Sequence, residues 1–176
     1  MSASFETNYI KFATPADTQN LLLWSEDMSN AVWNKANIDI TVNQANDIDG
    51  QPTLDEADYQ WSNSNMYQQL AVTASTQYVF SWEAKRGTAT AVTYRIYDST
   101  HYSYIIAATD YYASINASTP VRISVPFTTP SGCLQVRLSL LYETVLTDGT
   151  VYVGRAQLRL NSHAEGYVKT EGATHP

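Results

Sequence analysis

The chain is built from short runs in which apolar and polar residues alternate, each followed by residues typical of turns. In residues 77–85, the clearest run, Tyr78, Phe80 and Trp82 fall on one side of an extended backbone and mostly polar residues fall on the other. Comparable runs occupy residues 38–43, 67–72, 92–97, 104–108, 121–127, 134–140 and 151–158. Since no helical period continues beyond one turn, the sequence predicts an all-β protein, an antiparallel β-sandwich of the jelly-roll type with about nine to eleven strands.

Prolines and acidic turn residues refine this prediction. Pro126 lies inside a strand-like run and has no N–H to donate to a central ladder, so it predicts an edge strand or a bulge. Asp49 and Gly50 suit a turn with positive φ. Asp47 and Asp49 also bring hard oxygen atoms together as a calcium loop would. However, Gln51 stands at the fifth loop position and no glutamate follows at the twelfth, so we prefer an ordinary turn and predict no metal.

Residues 20–33 open the predicted domain. The apolar run 21–24 is typical of a strand buried on both faces, and Ser25 followed by two acidic residues is typical of a helix N-terminus. We therefore predict a short strand and then one short helical turn, with Trp33 closing one end of the core.

Three regions are predicted along the 176 residues: an extended N-terminal arm (1–19), one jelly-roll domain (20–170) and a short tail (171–176). The arm contains side chains that are too apolar for a solvated tail, namely Phe5, Tyr9, Ile10 and Phe12. We interpret the arm as docking on its own domain, on a partner or on a neighbouring subunit, and a disordered terminus is the alternative.

The charge balance excludes some classes of partner. Ten basic and seventeen acidic residues give a formal net charge of −7, which argues against nucleic acid and against anionic membrane surfaces. No stretch approaches the length of apolar sequence that crosses a bilayer, and no signal peptide is recognised. The lone Cys133 begins an apolar run and is predicted to be a small buried side chain.

Catalytic signatures do not stand out. His101, His163 and His175 are far apart, and no nucleophile elbow, phosphate loop or metalloprotease motif is present. Asp98 and His101 can meet around a turn, where hydrogen-bonded turn residues are the commoner outcome. We therefore predict that the protein is not an enzyme, and no cofactor is expected.

Tyrosines suggest a ligand. An aromatic-rich region contains seven candidate binding residues: Tyr94, Arg95, Tyr97, Tyr102, Tyr104, Tyr111 and Tyr112. Exposed rings beside hydrogen-bonding groups are typical of sugar sites, because rings stack on C–H faces while polar groups bind hydroxyls. They are equally typical of protein interfaces. Location in the core or at its rim is the third interpretation.

Both ends of the predicted domain resemble a known family. Residues 20–33, Asn-Leu-Leu-Leu-Trp-Ser-Glu-Asp-Met-Ser-Asn-Ala-Val-Trp, resemble the Asn-Leu-Leu-x-x-Ser-Glu-Asp-Phe-Ser-x-x-x-Trp opening of carbohydrate-binding-module-like jelly rolls in tailed-phage structural proteins. Residues 156–159, Ala-Gln-Leu-Arg, with Ala164, Tyr167-Val168 and Thr170, resemble the end of that family. This chain departs from the pattern at Met28, Arg159, Asn161 and Glu165.

This resemblance implies a bacteriophage virion structural protein, either a capsid decoration protein or a surface attachment protein of the kind also found on tail fibres. It further implies location on the virion surface after synthesis in the host cytoplasm, contact with a major capsid or tail protein, and a homo-oligomer such as a trimer. The alternative function is that of a glycan-binding adhesin, which attaches the particle to host or environmental polysaccharide.

Overall fold

The computed structural model describes residues 19–143, 148–160 and 166–172. The predicted docking residues of the arm, Phe5, Tyr9, Ile10 and Phe12, lie outside the described residues. The described part contains ten strands: β1 (Asn34–Ala36), β2 (Ile38–Ala45), β3 (Leu54–Tyr59), β4 (Asn65–Ala71), β5 (Gln77–Arg86), β6 (Thr93–Asp98), β7 (Ser103–Asp110), β8 (Val121–Thr128), β9 (Gln135–Tyr142) and β10 (Gly149–Leu160).

The strands form two five-stranded sheets that face each other. Sheet A has the order β1-β4-β9-β6-β7, and sheet B has the order β2-β3-β10-β5-β8. Every neighbouring pair is antiparallel. This arrangement confirms the predicted jelly-roll β-sandwich. Pro126 lies in β8, which is an edge strand of sheet B, as its missing N–H requires. No helix in the described part of the chain is long and apolar enough to cross a membrane.

The core lies between the sheets and is centred on aromatic side chains. Trp82 packs against Phe80 and Tyr111, with ring centroids 4.8 and 5.2 Å away. Trp33 is buried, and its Nε1 donates to the carbonyl of Trp24 at 3.0 Å, which satisfies the polar atom of the indole. The predicted burial of Trp33 and Cys133 is confirmed.

The segment before β1 differs from its prediction. Residues 21–24 do not form a strand, since 22–24 are bends, and the residues that follow form turns rather than a helix. Leu22 N donates to the Asn20 side chain at 3.1 Å, and Trp24 has a φ of 47°, so the backbone does not stay extended. The described helical turn is instead a 3₁₀ turn at Tyr112–Ser114.

Ser25 does not cap a helix as predicted, and its side chain contacts the C-terminal part of the domain instead. Its Oγ accepts a hydrogen bond from Thr170 N at 2.8 Å and lies 2.6 Å from the Tyr167 hydroxyl. Its backbone carbonyl accepts from Ala156 N at 2.8 Å. The opening segment is therefore fixed by β10 and by residues 166–170.

Asp55 joins the opening segment to β2. Its two carboxylate oxygens accept hydrogen bonds from Met28 N at 2.7 Å and from Asn43 N at 2.8 Å, and the side chain is fully buried. Burial, with a smaller contribution from the nearby acids Asp27 and Glu26, outweighs the two hydrogen bonds and raises the pKa of this carboxyl group to about 6.

We expect Asp55 to make stability depend on pH. The folded pKa of Asp55 lies above the ordinary value of about 3.9. The stabilisation that the protonated carboxyl group provides is therefore complete below about pH 3.9 and is lost as pH rises through about 6. The free energy of unfolding should be about 1 kcal/mol greater at pH 5 than at pH 7 on account of this group. Urea denaturation of the parent and of Asp55→Asn measures the difference.

Burial also raises the pKa of Glu83 and Glu143, but those groups are present in both proteins, so the comparison isolates Asp55. Equal pH slopes for the two proteins would contradict the assignment.

Candidate functional site

Sheet A has one apolar face toward the core and one polar, aromatic face away from it. On β9, Val136, Leu138 and Leu140 belong to the core, so the residues between them point outward. The same alternation holds on β4 and β6. We call the outward residues the outer face: Tyr67, Gln69, Arg95, Tyr97, Tyr104, Gln135, Arg137, Ser139 and Tyr142.

Strand register places these side chains in rows across the sheet. Arg137 of β9 lies opposite Gln69 of β4 on one side and opposite Tyr97 of β6 on the other. Tyr97 in turn lies opposite Tyr104 of β7, with ring centroids 5.5 Å apart and planes at 69°. One row therefore crosses four strands, with an amide, a guanidinium and two phenol rings side by side.

Tyrosine rings hold the two guanidinium groups of this face. The Arg95 guanidinium carbon lies 3.7 Å from the ring centroid of Tyr142, and that of Arg137 lies 4.4 Å from the centroid of Tyr67. Arg137 Nη2 also donates to Gln69 Oε1 at 3.3 Å. Stacking on a ring restricts the rotamers of a long side chain and leaves its N–H groups available at the edge.

The outer face ends in a cleft beside the β6–β7 hairpin. The cleft has a volume of about 430 Å³ and is lined by Gln69, Arg95, Tyr97, Ser99, Tyr102, Tyr104, Gln135 and Arg137. Tyr104 is 58% exposed and Tyr102 is 82% exposed. Tyr102 occupies the turn with a φ of 55°, a left-handed conformation that is uncommon for a tyrosine. The fold thus holds two large rings in solvent at the rim of a polar cleft.

Several buried polar atoms of the outer face and of the adjoining cleft have no hydrogen-bond partner within the described chain. They are Arg95 Nε, Arg137 Nε, Ser99 Oγ and Ser139 Oγ. Buried polar atoms in native proteins are normally hydrogen-bonded, and an unpaired one costs about 1 to 3 kcal/mol. These four polar atoms are therefore unpaired within the described part of the chain.

Four of the seven sequence-predicted binding residues meet at this cleft: Arg95, Tyr97, Tyr102 and Tyr104. The structure does not bring the other three to it. Tyr111 is 3% exposed, and its hydroxyl donates to the Leu140 carbonyl at 3.1 Å in the core. Tyr94 packs against Trp82 at 5.5 Å, and Tyr112 lies 4.1 Å below the Arg86 guanidinium at the 3₁₀ turn.

Sequence reasoning missed the contribution of the two strands beside β6. Residues Tyr67 and Gln69 of β4, and Gln135, Arg137 and Ser139 of β9, each alternate with core residues. That alternation was visible in the sequence, but the neighbours of β6 were not, because β4 and β9 are far from it along the chain.

The acidic turn that suggested calcium is occupied by protein donors. Asp47 Oδ1 accepts hydrogen bonds from Asp49 N at 2.8 Å and Gln51 N at 2.9 Å, and Oδ2 accepts from Thr53 Oγ1 at 2.8 Å. Arg155 Nη1 lies 3.2 Å from Asp47 and 2.7 Å from Asp49. The carboxylates of Asp47 and Asp49 are thus bound by donors of the protein itself. The contacts with Arg155 also connect the turn to sheet B.

Asp98 and His101 meet around a turn, as the sequence suggested. His101 Nδ1 lies 2.6 Å from Asp98 Oδ2, and the Thr100 and His101 N–H groups donate to Oδ1. Burial raises the pKa of Asp98, but these hydrogen bonds lower it more, to about 2. Burial and the neighbouring Asp98 raise the pKa of the Cys133 thiol to about 11, so it stays protonated and is a poor nucleophile.

No protein-family model and no curated protein sequence match this chain. Solved structures do resemble it. The enzymatically active domain of tailspike protein 4 from bacteriophage CBA120 aligns over 81% of this chain and 21% of that chain, with 13% identity and a TM-score of 0.59. The CBM22-1 xylan-binding domain of Xyn10C from Paenibacillus barcinonensis aligns over 86% of this chain and 100% of its own length, with 14% identity and a TM-score of 0.57.

A third similar structure contains the CBM22-1 and GH10 modules of the Clostridium thermocellum xylanase Xyn10B complexed with xylohexaose. It aligns over 88% of this chain and 30% of that chain, with 14% identity and a TM-score of 0.57. The chain therefore spans about a fifth of the tailspike chain and the whole of an isolated binding module. At these identities the similarity shows the fold, which is a jelly-roll β-sandwich like that of carbohydrate-binding modules.

Proposed function

We propose that this protein is a non-catalytic carbohydrate-binding module whose outer face of sheet A binds a polysaccharide chain. The observation that carries the proposal is the combination, in one cleft, of exposed tyrosine rings with glutamine and arginine side chains. Tyr104 and Tyr97 would stack on the C–H faces of sugar rings. Gln69, Gln135 and the two arginines would donate to hydroxyl groups.

The dimensions of the site suit an extended ligand. The row from Gln69 to Tyr104 crosses four neighbouring strands, which at about 4.8 Å between strands gives roughly 14 Å. A row of this length accommodates several sugar units, and its open sides allow a polymer to continue past it. The xylan-binding and xylohexaose-bound modules that share this fold support a polysaccharide ligand.

Substitution at Tyr104 tests the proposal. We expect Tyr104→Ala to weaken polysaccharide binding about tenfold or more, which corresponds to about 1.4 kcal/mol, because the ring supplies stacking area. Affinity electrophoresis against a panel of neutral and acidic polysaccharides gives the ligand, and titration calorimetry gives the dissociation constant.

Tyr152→Ala is the matched control, since Tyr152 is a half-buried tyrosine of β10 in the opposite sheet. It should bind as the parent does. Equal losses in the two variants, with both proteins folded, would place the ligand elsewhere, and the absence of binding to any member of the panel would refute the proposed function.

We also propose that the module is part of a bacteriophage virion surface protein, with glycan binding as attachment. The resemblance of residues 20–33 and 156–170 to jelly rolls of tailed-phage structural proteins favours this setting, and so does the similarity to a tailspike domain. In this proposal the arm, residues 1–19, docks on a capsid or tail protein and the chain forms a trimer.

Deleting residues 1–19 should leave a folded jelly roll that no longer co-sediments with virus particles. Light scattering on the intact chain measures the oligomer. A truncated protein that still co-sediments would contradict the role of the arm.

A further inference from the structure

The outer face carries positive charge on an acidic protein. The chain has a net charge of −7, yet the eight residues that line the cleft include two arginines and no aspartate or glutamate. Among the described residues, the ion pairs involve Arg122, Arg155, Lys169 and His101. Neither Arg95 nor Arg137 has an acidic partner in that part of the chain.

The nearest acids along the chain are engaged elsewhere. Asp98, at the end of β6, accepts from His101 and is fully buried on the core side of the strand. Glu143, which follows β9, accepts from Thr93 N at 2.8 Å. Neither carboxylate is oriented to neutralise the guanidinium groups of the outer face.

Arg95 is only 7% exposed, and its Nε has no partner in the described chain. Burying a guanidinium without a counter-charge is costly; the ring of Tyr142 offsets part of this cost, and an anion bound in the cleft would offset more of it. Tyr142 and Tyr67 stack on the guanidinium groups of Arg95 and Arg137, respectively. The edges of both guanidinium groups are therefore oriented before a ligand binds. Such a planar edge matches a carboxylate through two parallel hydrogen bonds.

We propose that the ligand of this face is an acidic polysaccharide whose uronate carboxylates bind Arg137 and Arg95. This inference rests on the proposed carbohydrate-binding function and specifies its substrate class. The tyrosines stack on the sugar rings, and the arginines select chains that carry a carboxylate at the ring. Because the remainder of the protein is acidic, distant charges oppose a polyanion, so selection depends on these two side chains.

The test compares polymers that differ only in the carboxylate. Polygalacturonate, alginate and hyaluronate are each paired with their carboxyl-reduced, neutral forms, and binding is measured by affinity electrophoresis and calorimetry. We expect at least one acidic polymer to bind tenfold or more tightly than its reduced form, and the preference to shrink as salt concentration rises. Equal binding of acidic and reduced forms would overturn the inference.

Arg137→Gln should abolish the preference for the acidic form, and Arg137→Lys should retain part of it because the charge remains without the planar fork. Lys85→Gln is the control, since it removes one positive charge from sheet B and should leave the preference unchanged. Thermal melting confirms that each variant is folded. An unchanged preference in Arg137→Gln would overturn the role of this side chain.

Three outcomes separate this inference from the proposed function. Tyr104-dependent binding of neutral polymers alone would keep the function and overturn the acidic ligand. A sulfated glucan without carboxylates that binds as tightly as the uronates would overturn the carboxylate assignment. Failure of every polymer, neutral or acidic, to bind would overturn the proposed function itself.

Discussion

Replacing Asn20 by aspartate should lower the free energy of unfolding by about 3 to 5 kcal/mol at pH 7, although the two side chains have nearly the same shape. Asn20 is fully buried and uses both ends of its amide. Its Oδ1 accepts from Leu22 N and Leu158 N, both at 3.1 Å. Its Nδ2 donates to the carbonyls of Ala156 at 3.0 Å and Val168 at 2.9 Å.

The substituted carboxylate keeps the two accepted hydrogen bonds but turns its second oxygen toward two carbonyl oxygens. Burial and this repulsion raise the folded pKa of the new group above its ordinary value of about 3.9. The Asn20→Asp variant should therefore regain stability as the pH falls below the raised folded pKa of the new carboxyl group, and should lose it again as the pH rises. One proton can serve only one of the two carbonyls, so recovery is partial.

Urea denaturation at pH 4 and pH 7 tests this prediction. Asn34→Asp is the control, because Asn34 is exposed on the edge strand β1 and its substitution should change stability by less than about 0.5 kcal/mol. A small loss for Asn20→Asp, or one that does not depend on pH, would show that the amide does not bridge the two ends of the domain.

Arg155→Met should destabilise the protein by about 3 to 5 kcal/mol, because it removes the guanidinium that two buried carboxylates share. Glu83 is 2% exposed and lies 3.3 Å from Arg155, and Asp47 lies 3.2 Å from it. Arg122 also contacts Glu83 at 3.4 Å, so Glu83 keeps one basic neighbour in the variant while Asp47 loses its contact with Arg155. Methionine preserves much of the volume, so the loss reports charge rather than packing.

The matched control is Lys169→Met. Lys169 is 55% exposed and pairs with Glu26 at 3.0 Å on the surface, where an ion pair is worth about 0 to 1 kcal/mol. Adding Glu83→Gln to Arg155→Met should restore part of the lost stability, since it removes one of the two buried carboxylates that had lost Arg155. Additive losses in the double variant would indicate that Arg155 acts through packing instead.

Alternation along the sequence predicted the strands because burial on one face imposes a period of two wherever a strand covers the core. It did not predict residues 21–33, since their conformation depends on Asn20, Ser25 and partners more than a hundred residues away. The leucines at 21–23 have the composition of a strand, but the structure does not include them in a strand of either sheet.

The candidate site was likewise predicted only in part from the sequence. Composition identified the tyrosines, but the sequence prediction grouped Tyr94, which packs against the core, with Arg95 and Tyr97, which line the cleft. The sequence could not separate Tyr104, at the rim of the cleft, from Tyr111, in the core. Tyr104 lies in β7, whereas Tyr111 comes directly after the end of that strand, where alternation no longer indicates which way a side chain faces. Arg137 was missed because its place beside Tyr97 follows from the strand order of sheet A.

The hydrogen bonds of Asn20 also have a geometric consequence for the two ends of the described domain. Since one amide reaches both Ala156 and Val168, the first and last described parts of the domain lie side by side. A domain with adjacent ends can be inserted into a surface loop of another protein without separating the two halves of that loop. In such an arrangement it would project as a side branch, and tension along the host chain would bypass its β-sheets.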